Sequence, residues 1–246
     1  QYGGVESFLV TLARHAGHAG VDHFFALCFG GRFEGELREA GAAVHRLPEV
    51  RLSRPWQVWS ARSRCRALLA EVQPRVLVKH SSWTLLVFRP LLRGTIPVVA
   101  WVHGAAARQG WLDRRTQEPP PTRVFANSAH TLRQIRDWYP GVAREVVHCA
   151  VPPAPSAPAG LRARVRTELG VGAGVPVILM ASRMEAWKGH ALLLDALMRL
   201  PQGLDWRAWI AGGPHTSEQA AYQALLKLQA RETSGGRARQ GGQGGG

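Results

Sequence analysis

Short apolar segments alternate with helical patterns along most of this chain, and this alternation limits the fold more than any other feature. The predicted strands are bounded by Gly, Pro or Asn and cover residues 21–28, 43–47, 75–80, 96–103, 123–127, 144–151, 176–182 and 206–212. Apolar residues at helical spacing predict helices over residues 5–16, 56–72, 129–138, 161–169, 190–200 and 218–231. Because strands that alternate with helices form parallel sheets covered on both faces, the sequence predicts a doubly wound α/β fold.

A proline-rich segment divides this pattern into two parts. Residues 152–158 (PPAPSAP) contain four prolines, which resist both helix and sheet and favour a stiff, extended connector. We therefore expect an N-terminal domain over residues 1–151, a linker over 152–160 and a second domain over 161–233. The alternative, a surface loop inside one domain, stays open at this point.

Both domains are expected to be incomplete. Gly3 and Gly4 open the chain with a turn of the kind that usually follows a strand, so we expect the first domain to lack its first strand. The second domain has two predicted strands, whereas a doubly wound sheet commonly has about five or six. Residues 234–246 contain seven glycines and no apolar side chain larger than Ala, which predicts a disordered tail.

The positive net charge of the chain favours anionic partners but does not select one kind of anion. The formal net charge is +14, and only three of the 31 basic residues are lysines. A positive field favours anionic partners such as sugar nucleotides, lipid head groups or nucleic acid. An arginine-rich coding bias without functional meaning explains the composition equally well. No single helix carries a basic stripe in the sequence, so we expect no specific nucleic-acid partner, while an anionic membrane surface stays open as a partner.

The cysteine and apolar content exclude several classes of protein. Cys28, Cys65 and Cys149 have no metal-like spacing, so we expect neither a zinc cluster nor a disulfide framework, and a cytoplasmic location. The apolar runs are too short for a membrane-spanning helix, although peripheral association with a membrane stays open. The nine tryptophans are scattered at core-like positions, which predicts that their side chains are buried.

The strongest local signal for a binding site is residues 182–190 (SRMEAWKGH), which follow a predicted strand and open a predicted helix. Parallel α/β sheets bind ligands at this position, where the carboxyl end of a strand meets a helix N-terminus. Arg183 and Lys188 lie five residues apart around the turn and can hold two phosphate groups. Glu185 can orient one of these cations, and Gly189 allows close approach of the backbone. A solvated polar turn is the alternative interpretation.

Five motifs in chain order resemble those of the family 4 glycosyltransferases of GT-B architecture. Residues 182–190 are similar to that family's run of Arg, four residues, Lys-Gly and then His or Tyr. The other motifs are residues 3–6 (GGVE), 101–104 (WVHG), 125–128 (FANS) and 209–213 (WIAGG), the last followed by Glu218 and Tyr222. The resemblance implies a GT-B-like α/β fold with two Rossmann-like parallel-sheet domains, of which the second is incomplete in this chain.

The resemblance also implies a function and the residues that perform it. It implies a retaining glycosyltransferase that moves a hexose from a nucleoside-diphosphate donor to a carbohydrate, a lipid-linked or a small-molecule alcohol. In that family's pattern Arg183 and Lys188 bind the donor diphosphate beside Gly3 and Gly4, and His103 is the catalytic residue near the reacting sugar. The supporting residues around these are Glu6, Asn127, Ser128, Glu185 and Gly189.

Neither a metal nor a cofactor beyond the nucleotide-sugar substrate is expected. The chain has no Asp-x-Asp pair of the kind that holds a divalent metal, so fixed cations are expected to stabilise the leaving diphosphate instead. The family's two glutamates eight positions apart have no counterpart here, so we expect the donor affinity and turnover of this chain to be impaired. The alternatives are a non-catalytic basic module that binds an anionic polymer or membrane, and a non-functional truncated gene product.

Three other features have simpler interpretations. His103 taken alone is interpreted as a satisfied strand-end histidine. His80, followed by Ser81, Ser82 and Trp83, also ends a predicted strand and can face the acceptor, but we interpret it as part of a plain loop. Ser128 precedes a predicted helix, and helix capping is enough to explain its place beside Asn127. Residues 170–174 (GVGAG) precede a strand rather than follow one, so we interpret them as a flexible loop and not as a dinucleotide-binding turn.

Overall fold

The computed structural model of this chain divides into two compact units, Gln1–Ala154 and Pro155–Gly246. The division falls inside the proline-rich segment identified in the sequence. The residues that the structure describes are 2–81, 84, 87–92, 96–104, 120–201 and 203–233. The predicted glycine-rich tail, residues 234–246, lies outside the described residues.

The first unit is built from alternating helices and strands. Its helices are α1 (Gly4–Arg14), α2 (Ala16–Ala19), α3 (Arg32–Glu39), α4 (Pro55–Val72) and α5 (Ala129–Gln134). Its strands are β1 (Phe24–Leu27), β2 (Ala43–Arg46), β3 (Leu77–Lys79), β4 (Val98–Val102), β5 (Arg123–Ala126) and β6 (Arg144–Val146). A short 3-10 helix covers Arg89–Leu91.

Every strand pair described in the first unit is parallel, as the sequence predicts. β1 pairs with β2, while β3, β4, β5 and β6 form a four-stranded sheet in chain order. Among the described residues no ladder joins β1 to β3. Because parallel strands end at the same edge of a sheet, the residues that follow β3, β4 and β5 are close neighbours.

Separate apolar clusters stabilise the parts of the first unit. Ala100, Val124, Ala126, Ile135, Trp138 and Tyr139 form the cluster under the four-stranded sheet. α1 and α3 pack together through Val10, Ala13 and Leu37. α4 places Ala61 and Leu68 in a third cluster with Leu47, Val50 and Val87. These clusters fix the helices on which the candidate site depends.

The second unit continues the same alternation. Its helices are α6 (Leu161–Glu168), α7 (His190–Met198) and α8 (Ser217–Thr233), and its strands are β7 (Val177–Ala181) and β8 (Arg207–Ala211). The two strands are parallel, with Val177 opposite Arg207 and Ala181 opposite Ala211. A 3-10 helix covers Ala186–Lys188, and the apolar cluster contains Met184, Leu194, Leu197, Ala208 and Leu226.

Two differences from the sequence predictions have local physical causes. The apolar pattern does not predict α3, because residues 32–39 contain only two apolar side chains. One of them, Leu37, is fully buried in the cluster with Val10 and Ala13 of α1, so tertiary packing stabilises this helix. β6 ends at Val146 rather than at residue 151, because its partner strand β5 ends at Ala126.

Among the tryptophans that the structure describes, the prediction of burial is wrong for three. Trp56, Trp59 and Trp187 are 65%, 74% and 73% exposed. The large apolar side chain of a tryptophan is therefore not enough to predict that it lies in the core. No described helix combines the length and the apolar character that a membrane span requires.

Candidate functional site

His103 follows β4 directly, at the carboxyl edge of the four-stranded sheet. Its ring is stacked against Trp101, with centroids 5.9 Å apart and an interplanar angle of 11°. Phe8 of α1 approaches from another side, with ring centroids 5.8 Å apart. These aromatic contacts hold the imidazole in one position and shield much of it from water.

His80, which follows the neighbouring strand β3, is hydrogen-bonded to His103. Nδ1 of His80 lies 2.8 Å from Nε2 of His103, and the ring centroids are 5.1 Å apart. The other ring nitrogen of His103, Nδ1, lies 3.6 Å from Sγ of Cys149. His80 therefore lies in the loop after β3, as interpreted from the sequence, but it is also a direct partner of the predicted catalytic residue.

Burial keeps both histidines uncharged at neutral pH. Burial and, as a smaller cause, the nearby His103 together lower the pKa of His80 to about 4. Burial also lowers the pKa of His103, although the negative charge of Glu6 acts in the opposite direction. A neutral imidazole can donate one hydrogen bond and accept another, whereas a charged one can only donate.

Asn127 and Ser128 fix the loop after β5. Asn127 Nδ2 donates to the carbonyl oxygen of His103 at 2.7 Å, and Asn127 Oδ1 accepts from Oγ1 of Thr131 at 2.7 Å. Ser128 caps α5, because its Oγ accepts from the Thr131 N–H at 3.1 Å. Capping therefore accounts for Ser128, while Asn127 also holds the backbone of His103.

The N-terminal glycine turn is close to the same histidine. The N–H of Gly3 donates to Oε2 of Glu6 at 2.8 Å, and α1 begins at the next residue, Gly4. The carboxylate of Glu6 is close enough to His103 to influence its pKa. The structure thus brings together Gly3, Gly4, Glu6, His103 and Asn127 in the first unit.

In the second unit, the turn between β7 and α7 carries the two predicted diphosphate ligands. Arg183 Nη1 lies 3.2 Å from Oε1 of Glu185, and Lys188 Nζ lies 3.8 Å from the ring centroid of Trp187. Glu185 therefore orients Arg183, as the sequence suggests. The cation–π contact of Lys188 involves an exposed ring and is weak enough to exchange for an anion.

A buried histidine anchors this turn to the helix that follows. His190, the first residue of α7, is fully buried, and its Nε2 lies 3.1 Å from Oγ of Ser182. Gly189 precedes it in the left-handed region, with φ of 86°, where a side chain would be strained. The main chain can therefore reverse between Lys188 and His190 within one residue.

Gly212 allows β8 to approach the same turn closely. A Cβ atom at Gly212 would lie 2.0 Å from the carbonyl oxygen of Ser182, and its φ of 142° also disfavours other residues. Next to this glycine, the Ser182 N–H donates to the Ala211 oxygen at 3.0 Å. The position of Arg183 is thus fixed from both strands.

Sequence reasoning missed His80, Cys149, Trp101 and Phe8 as neighbours of His103. His80 had a recognisable signal, because it and His103 each follow a strand and these strands are adjacent in the sheet. The contact of Cys149 with His103 joins residues 46 positions apart and has no local signal. The same holds for Phe8, which reaches His103 from α1.

A cavity of about 520 Å³ lies elsewhere in the first unit. It is lined by Ala13 and Gly17 at the ends of α1 and α2, and by Val21, Phe24 and Ala43 at the amino ends of β1 and β2. Ligands of parallel sheets bind at the opposite, carboxyl edge. Among the described residues no group of three or more His, Cys, Asp or Glu side chains is placed to hold a metal ion.

This chain is similar in sequence to part of a known glycosyltransferase and similar in fold to solved structures. It is 33% identical over 158 residues to the D-inositol 3-phosphate glycosyltransferase of Nocardia farcinica, covering 56% of this chain but only 35% of that protein. The fold is similar to a glycosyltransferase from Rickettsia africae, with a TM-score of 0.78, 18% identity, and coverage of 98% of this chain and 65% of that one.

A second solved structure supports the same fold. HepE of Anabaena, crystallised with UDP and glucose, has a TM-score of 0.75 and 18% identity, over 98% of this chain and 66% of that one. These matches confirm the predicted GT-B-like α/β fold. This chain spans about a third of the length of the Nocardia relative and about two thirds of the two solved structures.

The family is shown by a match to more than half of the chain. The family model described as Glycosyltransferase Family 4 matches residues 2–155, which contain His80, His103 and Asn127. The chain belongs to Glycosyltransferase Family 4.

Proposed function

We propose that this chain is part of a glycosyltransferase that moves a sugar from a nucleoside-diphosphate donor to an alcohol acceptor. The observation that carries the proposal is the turn at the carboxyl end of β7, which holds Arg183 and Lys188 just before the first turn of α7. Relatives support the donor class, since the Anabaena structures contain UDP, UDP with glucose, or UDP-glucose.

In this proposal Arg183 and Lys188 bind the donor diphosphate. The guanidinium group offers paired N–H donors to phosphate oxygens, and the ammonium group adds a point charge. The N-terminus of α7 begins two residues after Lys188, and the free N–H groups of a helix N-terminus favour anions. As the sugar leaves, negative charge grows on the diphosphate, and these fixed positive groups stabilise it. The absence of an Asp-x-Asp pair from the sequence supports a reaction that needs no metal.

His103 is the proposed catalytic residue near the reacting sugar, in a reaction that retains anomeric configuration. Because its pKa is lowered by burial, it would act as a neutral hydrogen-bonding group and not as a cation. Its Nε2 is held by His80, whereas the 3.6 Å contact of Nδ1 with Cys149 is weak. A sugar hydroxyl would therefore replace the contact with Cys149 more easily than the bond to His80.

Gly3 and Gly4 would lie beside the phosphate and acceptor. Glu6 would hold Gly3 in place by accepting its N–H, and Asn127 would hold His103 by donating to its carbonyl oxygen. The acceptor class is a carbohydrate, a lipid-linked alcohol or a small-molecule alcohol. We further propose that donor affinity and turnover of this polypeptide are impaired, because the family's two glutamates eight positions apart have no counterpart in its sequence.

Titration calorimetry with UDP, GDP and ADP tests the donor site on the whole 246-residue chain. We expect one nucleoside diphosphate to bind and the matching nucleoside to bind at least ten times more weakly, since charge-assisted bonds to phosphate contribute about 1.5–3 kcal/mol each. Arg183→Ala and Lys188→Ala should each lower the affinity about tenfold or more. If transfer is measurable, each should lower its rate about 10²-fold.

Arg162→Ala is the matched control, because Arg162 is an exposed arginine on α6 of the same unit. It should leave the affinity for the nucleoside diphosphate unchanged within about twofold. If Arg162→Ala and Arg183→Ala lowered the affinity for the nucleoside diphosphate equally, the loss would come from the overall charge of the chain and not from a site at Arg183. Unchanged binding in both Arg183→Ala and Lys188→Ala would contradict the site.

A further inference from the structure

α4 carries two large aromatic side chains on its solvent face. Trp56 and Trp59 are 65% and 74% exposed, and residues three positions apart are neighbours on a helix surface. The opposite face of α4 contributes Ala61 and Leu68 to the core. The tryptophans are therefore exposed because the helix is already fixed in the core by its other side.

Exposed arginines precede and follow this tryptophan pair along the chain. Leu52, in the loop before α4, is 49% exposed and lies between the exposed Arg51 and Arg54. Arg66 is exposed seven positions after Trp59, which places it on the same face two turns along the helix. The set that we call the Trp56–Trp59 surface consists of Arg51, Leu52, Arg54, Trp56, Trp59 and Arg66.

The ionised side chains of residues 51–70 are all positively charged. Residues 51–70 contain five arginines and no acidic residue, and the nearest acidic residues are Glu49 and Glu71. Glu49 precedes the surface in sequence, and Glu71 lies in the last turn of α4, far from Trp56. A partner of this surface therefore needs negative charge next to an apolar layer.

We propose that the Trp56–Trp59 surface binds the anionic face of a lipid bilayer. Tryptophan rings favour the head-group region, where the apolar body meets hydrocarbon and the N–H group meets water. Arginines close to an anionic bilayer gain electrostatic attraction from acidic head groups. A helix that lies in the plane of the surface, with aromatic and basic side chains outward, combines both contributions. This binding does not depend on the transfer reaction.

Charge argues against a second copy of this chain as the partner. In a two-fold symmetric dimer the same patch contacts itself, so the arginines of both copies would face one another without acidic partners. A single-stranded nucleic acid would match the charge, but such ligands bind in grooves where bases stack in succession. Trp56 and Trp59 instead project from the outer face of a helix.

The test is co-sedimentation of the 246-residue chain with vesicles. Vesicles of phosphatidylglycerol and phosphatidylcholine in equal parts should bind the chain, whereas pure phosphatidylcholine should bind it weakly. Replacing both tryptophans (Trp56→Ala with Trp59→Ala) should lower the partition coefficient about tenfold or more, because the apolar area that enters the bilayer is lost. Replacing Arg51 and Arg54 with Gln should lower it about fivefold for each arginine.

Exposed residues of the second unit supply matched controls. Leu192 and Leu225 are 72% and 64% exposed, and replacing both with Ala removes apolar surface without touching α4. Replacing the exposed Arg162 and Arg164 with Gln removes the same charge as the double arginine variant. Both controls should change the partition coefficient by about twofold at most, because those residues do not contact the bilayer in the proposed mode.

Insertion is measured separately from electrostatic adsorption. Vesicles with brominated acyl chains quench tryptophans that reach the boundary between head groups and hydrocarbon. They should therefore quench the wild-type chain more than the variant without Trp56 and Trp59. Equal quenching, equal sedimentation of these two proteins, or no binding to anionic vesicles would overturn the proposal. Release of the chain from the vesicles by a single-stranded oligonucleotide would also overturn the proposal. So would a dimer in solution that forms in the wild-type chain and is lost in the variant without Trp56 and Trp59.

Discussion

His80 and His103 share one hydrogen bond, with Nδ1 of His80 2.8 Å from Nε2 of His103, although they are 23 positions apart in sequence. Only one of these two nitrogens can carry the hydrogen at this distance, so the pair is incompatible with protonation of both rings. The histidine that the sequence selects as catalytic is thus held in place by one that the sequence places in a plain loop.

This pair makes the stability of the chain sensitive to acid. The pKa of His80 is about 4 in the folded chain and ordinarily 6.5, so the unfolded chain binds more protons between these values. Stability is therefore complete above about pH 6.5 and decreases as the pH falls toward 4. His80 alone should contribute a loss of about 2 kcal/mol between pH 7 and pH 5, measured by urea unfolding.

The variant His80→Gln should show a smaller difference in unfolding free energy between these two pH values, whatever its stability at pH 7. His130→Gln is the control, because His130 is exposed on α5, and it should keep the wild-type pH dependence. An identical pH dependence in wild type and His80→Gln would mean that His80 is not held uncharged by burial.

The positions of strands and the Arg183–Lys188 turn could be predicted because they depend on local patterns. Short apolar runs mark the strands, and the turn follows one of them directly. The partner of His103 could not be predicted in this way, because it depends on which strands are adjacent in the sheet. The exposure of Trp56 shows the same limit: α4 has apolar side chains on two faces, and only packing decides which face is buried.

Asn127 should be important for the stability of the loop after β5, because its amide donates to the His103 carbonyl oxygen at 2.7 Å. Asn127→Asp replaces this donor with a charged acceptor and leaves two oxygens facing each other. We expect a loss of about 2–3 kcal/mol in unfolding free energy, larger than that of Asn127→Ala. Gln134→Glu, an equivalent change at an exposed position of α5, should change stability by less than about 0.5 kcal/mol. Equal effects of the two acidic variants would contradict the hydrogen bond.

Gly212 and Gly213 are adjacent but should respond very differently to alanine. At Gly212 the added Cβ would overlap the carbonyl oxygen of Ser182, and the backbone has a φ of 142°. Gly212→Ala should therefore cost about 2–4 kcal/mol, seen as a lower urea midpoint of the second unit. At Gly213 the new Cβ meets nothing within 4 Å, so Gly213→Ala is the matched control. Equal midpoints for the two variants would show that β8 can move away from Ser182.

Lys79 and Tyr139 form a buried pair behind the four-stranded sheet. They are 8% and 2% exposed, and Nζ of Lys79 donates to the Tyr139 hydroxyl oxygen at 3.0 Å. Burial lowers the pKa of Lys79 to about 8 and raises the pKa of Tyr139 to about 12. The two groups should therefore change the stability of the chain in alkaline solution in opposite directions.

Between pH 8 and pH 10 the unfolded chain binds the proton of Lys79 more tightly than the folded chain, whose lysine pKa is about 8. The free energy of unfolding should then rise by about 2 kcal/mol across this range through Lys79, and Lys79→Met should lack that rise.

Above pH 10 a tyrosine in the unfolded chain loses its proton, while Tyr139 in the folded chain keeps its proton until about pH 12. The free energy of unfolding should therefore fall above pH 10, and Tyr139→Phe should lack that fall. Urea unfolding from pH 8 to pH 11 measures both, with the exposed Lys227→Met on α8 as the control. If Lys79→Met and Lys227→Met follow the same curve, the ammonium group of Lys79 is not buried in the folded chain.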